Sequence, residues 1–187
     1  MDLQIHASLV EVHRVGVLVQ GESGVGKSEC ALELVQRGHK LVADDVVRLE
    51  LCQTDSSEPM VIGRSPELIR HYMELRGVGL LQIEELYGAD AVLDQVQLDL
   101  ICRLEAWQEE VEYERIGLER PQEDVLGVAV PVLILPVRPA RSMATLIEVA
   151  TLDLQSRRRG VNAARRLDDR LKLRSAYALR VAQGGDS

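Results

Sequence analysis

Eight consecutive residues, Gly21-Glu22-Ser23-Gly24-Val25-Gly26-Lys27-Ser28, satisfy the pattern G-x-x-x-x-G-K-[ST] at every fixed position. The glycines let the backbone turn tightly, so that successive N–H groups point into one hollow. A helix opening near Lys27 adds the positive end of its dipole to the same hollow. Lys27 supplies a movable point charge for β- and γ-phosphates, and the Ser28 hydroxyl is placed to coordinate Mg2+. The spacing therefore predicts a phosphate site over Gly21, Glu22, Ser23, Gly24, Val25, Gly26, Lys27 and Ser28.

A phosphate cradle does not name a reaction; carboxylates must hold a metal and activate a nucleophile. Asp44 and Asp45 close the apolar run Leu41-Val42-Ala43. Neighbouring residues on a strand point to opposite faces. A straight strand thus offers one aspartate to the phosphates, whereas a bend at the strand end offers both. The β-branched Val46-Val47 that follow speak against an ordinary pair of turn aspartates.

These residues need elements to position them. Val15-Gly16-Val17-Leu18-Val19-Gln20 reads as a buried strand ending in the glycines. Lys27 to Arg37 places Cys30, Ala31, Leu34 and Val35 on one helical face, and Gly38 stands where a helix C-terminal glycine belongs. His39 to Leu51 reads as a second strand, followed by a polar loop over residues 53–59. Ser65-Pro66-Glu67 carries the signature of a helix start, predicting a helix to about Glu74 that Arg76-Gly77-Val78-Gly79 breaks. Residues 90–104 alternate in part and read as one or two strands. Residues 128–137 form a further strand that Pro131 and Pro136 place near an edge. Residues 142–158 and 162–182 have helical periodicity, separated by Gly160. No internal repeat, low-complexity tract or interdomain linker is present, so the 187 residues read as a single domain over 1–187.

Composition narrows the class. Apolar residues make up 46% of the chain but aromatics only 3%, so the core must be aliphatic, as suits helices packed on a sheet. Disordered, collagen-like and disulfide-scaffold chains are excluded. The scarcity of aromatics argues against nucleic-acid modules that stack bases, and a net charge of −8 argues against general polyanion binding. That charge is uneven: residues 157–187 carry a formal +6, leaving −14 on the rest. The basic tail reads either as a solvated helix balancing an acidic body or as a docking surface for an acidic partner. Cys30, Cys52 and Cys102 form no CxxC pair and read as small core residues. No signal peptide and no membrane-length apolar run are seen, which points to the cytoplasm with no membrane and no nucleic-acid partner.

The run from Gly21 to Asp45 closely resembles the C-terminal catalytic domain of HPr kinase/phosphorylase. The likeness continues through Glu74-Leu75-Arg76-Gly77-Val78-Gly79, Leu86-Tyr87-Gly88-Ala89-Asp90-Ala91-Val92 and Glu114-Arg115-Ile116-Gly117. It also includes Pro136-Val137-Arg138-Pro139-Ala140-Arg141 and Ile147-Glu148-Val149-Ala150, in order from about His6 to Asn162. The resemblance implies an α/β fold: a P-loop-containing mixed sheet with flanking helices, similar to the nucleotide domain of phosphoenolpyruvate carboxykinase, with a helical C-terminal end. It implies a bifunctional, Mg2+-dependent enzyme that phosphorylates a serine of HPr with ATP or pyrophosphate. The same enzyme would remove that phosphate by phosphorolysis, releasing pyrophosphate, in the regulation of carbohydrate metabolism. A homo-hexamer is implied, as is the absence here of the family's N-terminal domain.

By position, the resemblance makes Asp45 the residue that takes the serine proton and returns it in phosphorolysis. Its carboxyl is expected to be raised by neighbouring Asp44. Glu74 resembles a Mg2+ contact alongside Ser28, with Asp44 a further candidate. Arg115 resembles an arginine that steadies the transferring phosphoryl group, and His6 a histidine near the phosphates. Residues 73–82 (Met73, Glu74, Leu75, Arg76, Gly77, Val78, Gly79, Leu80, Leu81 and Gln82) resemble a segment tied to both reactions. Residues 136–141 (Pro136, Val137, Arg138, Pro139, Ala140 and Arg141) resemble one tied to phosphorolysis. Arg138 and Arg141 read either as phosphate contacts or as solvated surface groups. His13, His39 and His71 read as structural or surface residues. Three departures stand out: Ala7, Asp90 and Ala140 occupy positions where the family usually has glycine, and an alanine needing φ > 0 would reshape its loop. Two other readings stay open: a kinase of this fold for a non-HPr substrate, and an ATP-sensing subunit that transfers nothing.

Overall fold

The structure, a computed structural model, describes residues 2–53, 58–111, 113 and 117–183, with residues 175–183 described through the backbone alone. The chain begins with strands β1 (Asp2–His6), β2 (Ser8–Val12) and β3 (Val15–Gly21), then helix α1 (Lys27–Gln36). Strands β4 (Lys40–Ala43), β5 (Val46–Cys52), β6 (Met60–Arg64), β7 (Tyr72–Leu75) and β8 (Gly79–Gln82) follow, then the short helix α2 (Ile83–Tyr87). Strands β9 (Gln95–Ala106), β10 (Gln122–Val125) and β11 (Val128–Val137) precede helices α3 (Met143–Arg158) and α4 (Ala163–Gln183).

Among the described residues, nine strands form one mixed sheet in the order β1-β5-β6-β9-β3-β2-β4, with β11 also on β9 and β10 outside β11. Pairing is parallel for β3 with β9 and for β9 with β11, and antiparallel elsewhere in the sheet. This bears out the expected α/β mixed sheet with flanking helices and a helical C-terminal end. The alternation of the central strands divides the core between the two faces. Val17, Val19, Leu100, Cys102 and Leu104 meet Ala31 and Leu34 of α1 and Ile147 and Leu154 of α3 on one face. On the other, Leu18 and Ile101 meet Leu9, Val47, Leu49, Val61 and Val130, so that strands rather than helices close that side.

Several elements differ from the sequence expectation. Strands β1 and β2 are not announced by any motif. The single strand expected over residues 39–51 is two, β4 and β5, broken at Asp44-Asp45 and lying in different parts of the sheet. The helix expected from Ser65 to about Glu74 is instead a 3-10 turn at Glu67–Ile69 followed by strand β7. Local chemistry explains this: Ser65 Oγ donates to the Pro66 carbonyl rather than capping an N–H, and His71 takes φ 63, which interrupts any helix. Beyond it, Met73 and Leu75 are buried while Tyr72 and Glu74 are exposed, a period of two. Residues 76–79 turn the β7–β8 hairpin rather than ending a helix. Cys52 is exposed, unlike the buried Cys30 and Cys102. Residues 54–57 of the expected polar loop lie outside the described residues. At the start of the basic tail, Arg157 donates to the Gly117 carbonyl at 2.7 Å and Arg158 pairs with Asp99 at 2.7 Å, so both are tied to the body.

Candidate active site

Strand β3 delivers the chain to the glycine loop, and α1 leaves from it. Gly24 (φ 83) and Gly26 (φ 104) take left-handed conformations that a side chain would resist, and Gly26 caps α1. Lys27, buried at 7% exposure, folds its Nζ back onto the carbonyls of Gly21 (2.9 Å) and Glu22 (3.1 Å). Ser28, one residue on, donates its Oγ to Asp44 Oδ1 at 3.1 Å.

Of the two geometries left open at the end of β4, the bend is the one present. Val46 N–H bonds to the Asp44 carbonyl at 2.8 Å and Asp45 takes φ 64, a γ-turn with a left-handed centre. Such backbone is costly for a non-glycine residue and concentrates at functional sites. Here it aims both carboxylates at one cavity, which His6, Ser23, Gly24, Gly26, Lys27 and Ser28 also line, with Glu29, Glu74 and Arg76.

The two aspartates have different surroundings. Asp44 is buried, accepts from Ser8 Oγ (2.5 Å) as well as Ser28, and leaves Oδ2 without a hydrogen-bond partner among the described residues. Burial pushes its carboxyl above the usual range, against the opposing hydrogen bonds from Ser8, Ser28 and the Asp45 backbone. Burial is thus the leading cause of the raised Asp44 carboxyl, and the charge of neighbouring Asp45 a lesser one. Asp45 stands open to solvent, with Oδ1 2.8 Å from His6 Nδ1. Register explains that pair: His6 lies opposite Val46 in the β1–β5 ladder, and Ala7 N–H bonds to the Asp45 carbonyl.

Hairpin β7–β8 closes the other side. Buried Met73 and Leu75 anchor it, Glu74 faces the cavity, and Arg76 Nη2 donates to Ser23 Oγ at 3.0 Å. Unpartnered Asp44 Oδ2, the Ser28 hydroxyl and Glu74 form a hard oxygen donor set, which fits Mg2+ better than a softer ion.

Not every expected residue converges here. Glu22 and Val25 face a second cleft on the far side of the loop, with Gly21 and Arg103. Arg141 borders a separate groove with Trp107, Tyr113 and Pro136, and its Nη1 reaches the Pro136 carbonyl. Arg138 lies over Trp107, 3.0 Å from the ring centroid. Ala140 holds φ 63, so the left-handed turn exists with an alanine in it. Arg115 lies outside the described residues. Ser8 and Glu29 were missed: Ser8 carries no motif, and Glu29 follows the pattern by one residue.

This arrangement defines an α/β protein with a polar pocket at its glycine loop, lined by carboxylates together with a lysine and an arginine. Comparison makes the class particular: residues 1–171 match the HPr Serine kinase C-terminal domain, and the chain belongs to that family. It is 47% identical over 167 residues to the HPr kinase/phosphorylase of Caldicellulosiruptor bescii, covering 89% of this chain and 52% of that protein. It is 48% identical over 167 residues to the HPr kinase/phosphorylase of Geobacillus thermodenitrificans, covering 89% and 53%. The chain thus spans about half the length of these curated relatives. Among solved structures, the Hpr(Ser) kinase/phosphatase from Coxiella burnetii superposes with a TM-score of 0.74 at 32% identity, covering 84% of this chain and 93% of that one. Among the described residues, no helix is long and apolar enough to cross a membrane.

Proposed function

We propose that the chain is the catalytic part of a bifunctional protein-serine kinase and phosphorylase acting on HPr. The observation that carries this is the division of labour between Asp44 and Asp45. One carboxylate is buried against Ser28; its neighbour is exposed beside His6 at the mouth of the same cavity.

The glycine loop acts as a P-loop, its amides and Lys27 holding the phosphates of ATP or pyrophosphate. Lys27 leaves the Gly21 and Glu22 carbonyls to do so. Ser28, Asp44 and Glu74 would hold Mg2+, which when bound offsets charge on the phosphoryl oxygens. Asp45 accepts the proton of the attacking serine hydroxyl as the γ-phosphoryl group passes to its oxygen. In phosphorolysis an oxygen of inorganic phosphate attacks the phosphoserine phosphorus, and Asp45 returns the proton to the departing serine as pyrophosphate forms. One carboxyl serves both directions because the forward base is the reverse acid. His6 orients Asp45 through the Nδ1–Oδ1 contact. Arg115 and residues 136–141 are assigned to the transferring and incoming phosphates by resemblance, as are the homo-hexamer, the likeness to the phosphoenolpyruvate carboxykinase nucleotide domain and the role in carbohydrate regulation.

Incubation with Mg2+, ATP and HPr should yield phosphoserine on HPr, detected by mass. Inorganic phosphate added afterwards should release pyrophosphate. Intact ATP binding without phosphoserine would refute the assignment of HPr as substrate.

A further inference from the structure

Away from the phosphate cavity, three side chains from three elements converge. His13 sits in the turn between β2 and β3, where His13 (φ 50) and Arg14 (φ 62) are both left-handed, as a two-residue hairpin turn requires. His39 follows Gly38 at the end of α1 and is buried at 8% exposure. Glu148 comes from α3 and is half-buried. His39 Nε2 lies 2.9 Å from Glu148 Oε1, and the rings of His13 and His39 meet edge to face with centroids 4.8 Å apart. One ligand atom from each of the three residues lies within 4.8 Å of the other two.

We propose that His13, His39 and Glu148 form a binding site for one divalent transition-metal ion of the zinc type. Two imidazoles and one carboxylate are the donor set of such ions, with a fourth position left for solvent. Bond lengths of about 2 Å to each ligand place neighbouring donors roughly 3.3 Å apart, so the widest separation in the cluster must contract by about 1.5 Å. The exposed His13 on its turn supplies that movement, while His39 and Glu148 are already at hydrogen-bond distance. The carboxylate is held for the purpose: Arg37 Nη1 donates to Glu148 Oε2 at 2.6 Å, leaving Oε1 toward the histidines. Gln155 of α3 donates to the His13 carbonyl and fixes the turn beside the helix.

The site is separate from the phosphate cavity. His13 precedes β3, whose other end opens into the glycine loop, and His39 precedes β4, whose other end leads to Asp44. A bound ion would therefore tie the β2–β3 turn, the C-terminal end of α1 and α3 together at the opposite end of these strands. Helix α1 carries Lys27 and Ser28 at its other end, so ion occupancy would brace the helix that presents them.

The test uses the full chain stripped with chelator, with Mg2+ in excess to occupy the oxygen donors of the phosphate cavity. Co2+ titrated in should bind at one equivalent, with visible d–d bands that Zn2+ abolishes by displacement. His13→Asn keeps a residue that tolerates the left-handed turn, and Glu148→Gln keeps a hydrogen-bond acceptor. Each should weaken Co2+ binding by at least about tenfold. Zn2+ should raise the melting temperature of the parent chain but not of His13→Asn. Bands that survive both variants, bands lost instead in Asp44→Asn, or no binding at millimolar Co2+ would each overturn the site.

Discussion

Ser8 Oγ donates to Asp44 Oδ1 across 2.5 Å in the interior, joining residues 36 apart in sequence. The bond exists because β2 runs antiparallel beside β4, with Leu9 opposite Ala43. Together with Ser28 it compensates part of the cost of burying the Asp44 carboxyl. Ser8→Ala should lower unfolding stability by about 1.5–3 kcal/mol, the range for a hydrogen bond to a charged acceptor. Denaturant titration measures it directly. A midpoint equal to that of the parent would mean that Asp44 finds another donor.

Asp45→Asn should reduce serine phosphorylation and phosphorolysis together, each by about 10^2 to 10^4, the usual contribution of a general acid–base group. Nucleotide affinity should be nearly unchanged, because Lys27 and the loop amides remain. His6→Ala should cost about tenfold to a hundredfold through lost positioning of Asp45. Paired single-turnover assays in the two directions provide the readout. Loss of one direction alone would remove Asp45 from its shared role.

Trp107 is the single tryptophan of the chain and lies under the Arg138 guanidinium. Tyr113 packs against it with ring centroids 4.8 Å apart. If Arg138 takes an incoming phosphate, the cation must shift relative to the indole, and emission from that ring reports it. Inorganic phosphate should therefore change the fluorescence saturably in the parent chain and leave it flat in Arg138→Ala. A flat titration in the parent as well would exclude phosphate binding by Arg138.

The cysteines should separate by reactivity. Burial pushes the Cys30 thiol up to about 12, and Cys102 is raised for the same reason, so both stay protonated at neutral and mildly basic pH. Cys52 is exposed near the end of β5. A thiol reagent at pH 8 should label one cysteine in the native chain and all three after unfolding. Mass spectrometry counts the adducts, and a second native label would show that α1 opens from the sheet.

The glycine loop was legible because phosphate binding constrains residue types at adjacent positions of one short segment. Asp44 and Asp45 were legible as a pair, but the choice between a straight strand and a bend was not, since the γ-turn at Asp45 is set by the pairing of β1 with β5 around it. Ser8 was not, since its meeting with Asp44 is made by strand pairing that one sequence does not display. The helix misread after Ser65-Pro66-Glu67 shows local and tertiary signals in conflict. Capping chemistry favours a helix start there, but Met73 and Leu75 gain more by reaching the core that α1 also covers. His13 and His39 carried no motif, and only the fold sets them beside Glu148.

Ala140 offers a last check on the loop over residues 136–141. Its φ of 63 costs an alanine about 1–2 kcal/mol, and the Arg141 N–H to Arg138 carbonyl bond of 3.2 Å holds the turn in place. Glycine there would relieve the strain but lose about 0.5–1 kcal/mol to the greater freedom of the unfolded chain. The difference favours Ala140→Gly by about 0.5–1 kcal/mol, or roughly 2 °C in melting temperature for a domain of this size. Thermal unfolding decides the sign. An unchanged or lower value would mean that the turn imposes no such strain in solution and that the loop rests in another conformation.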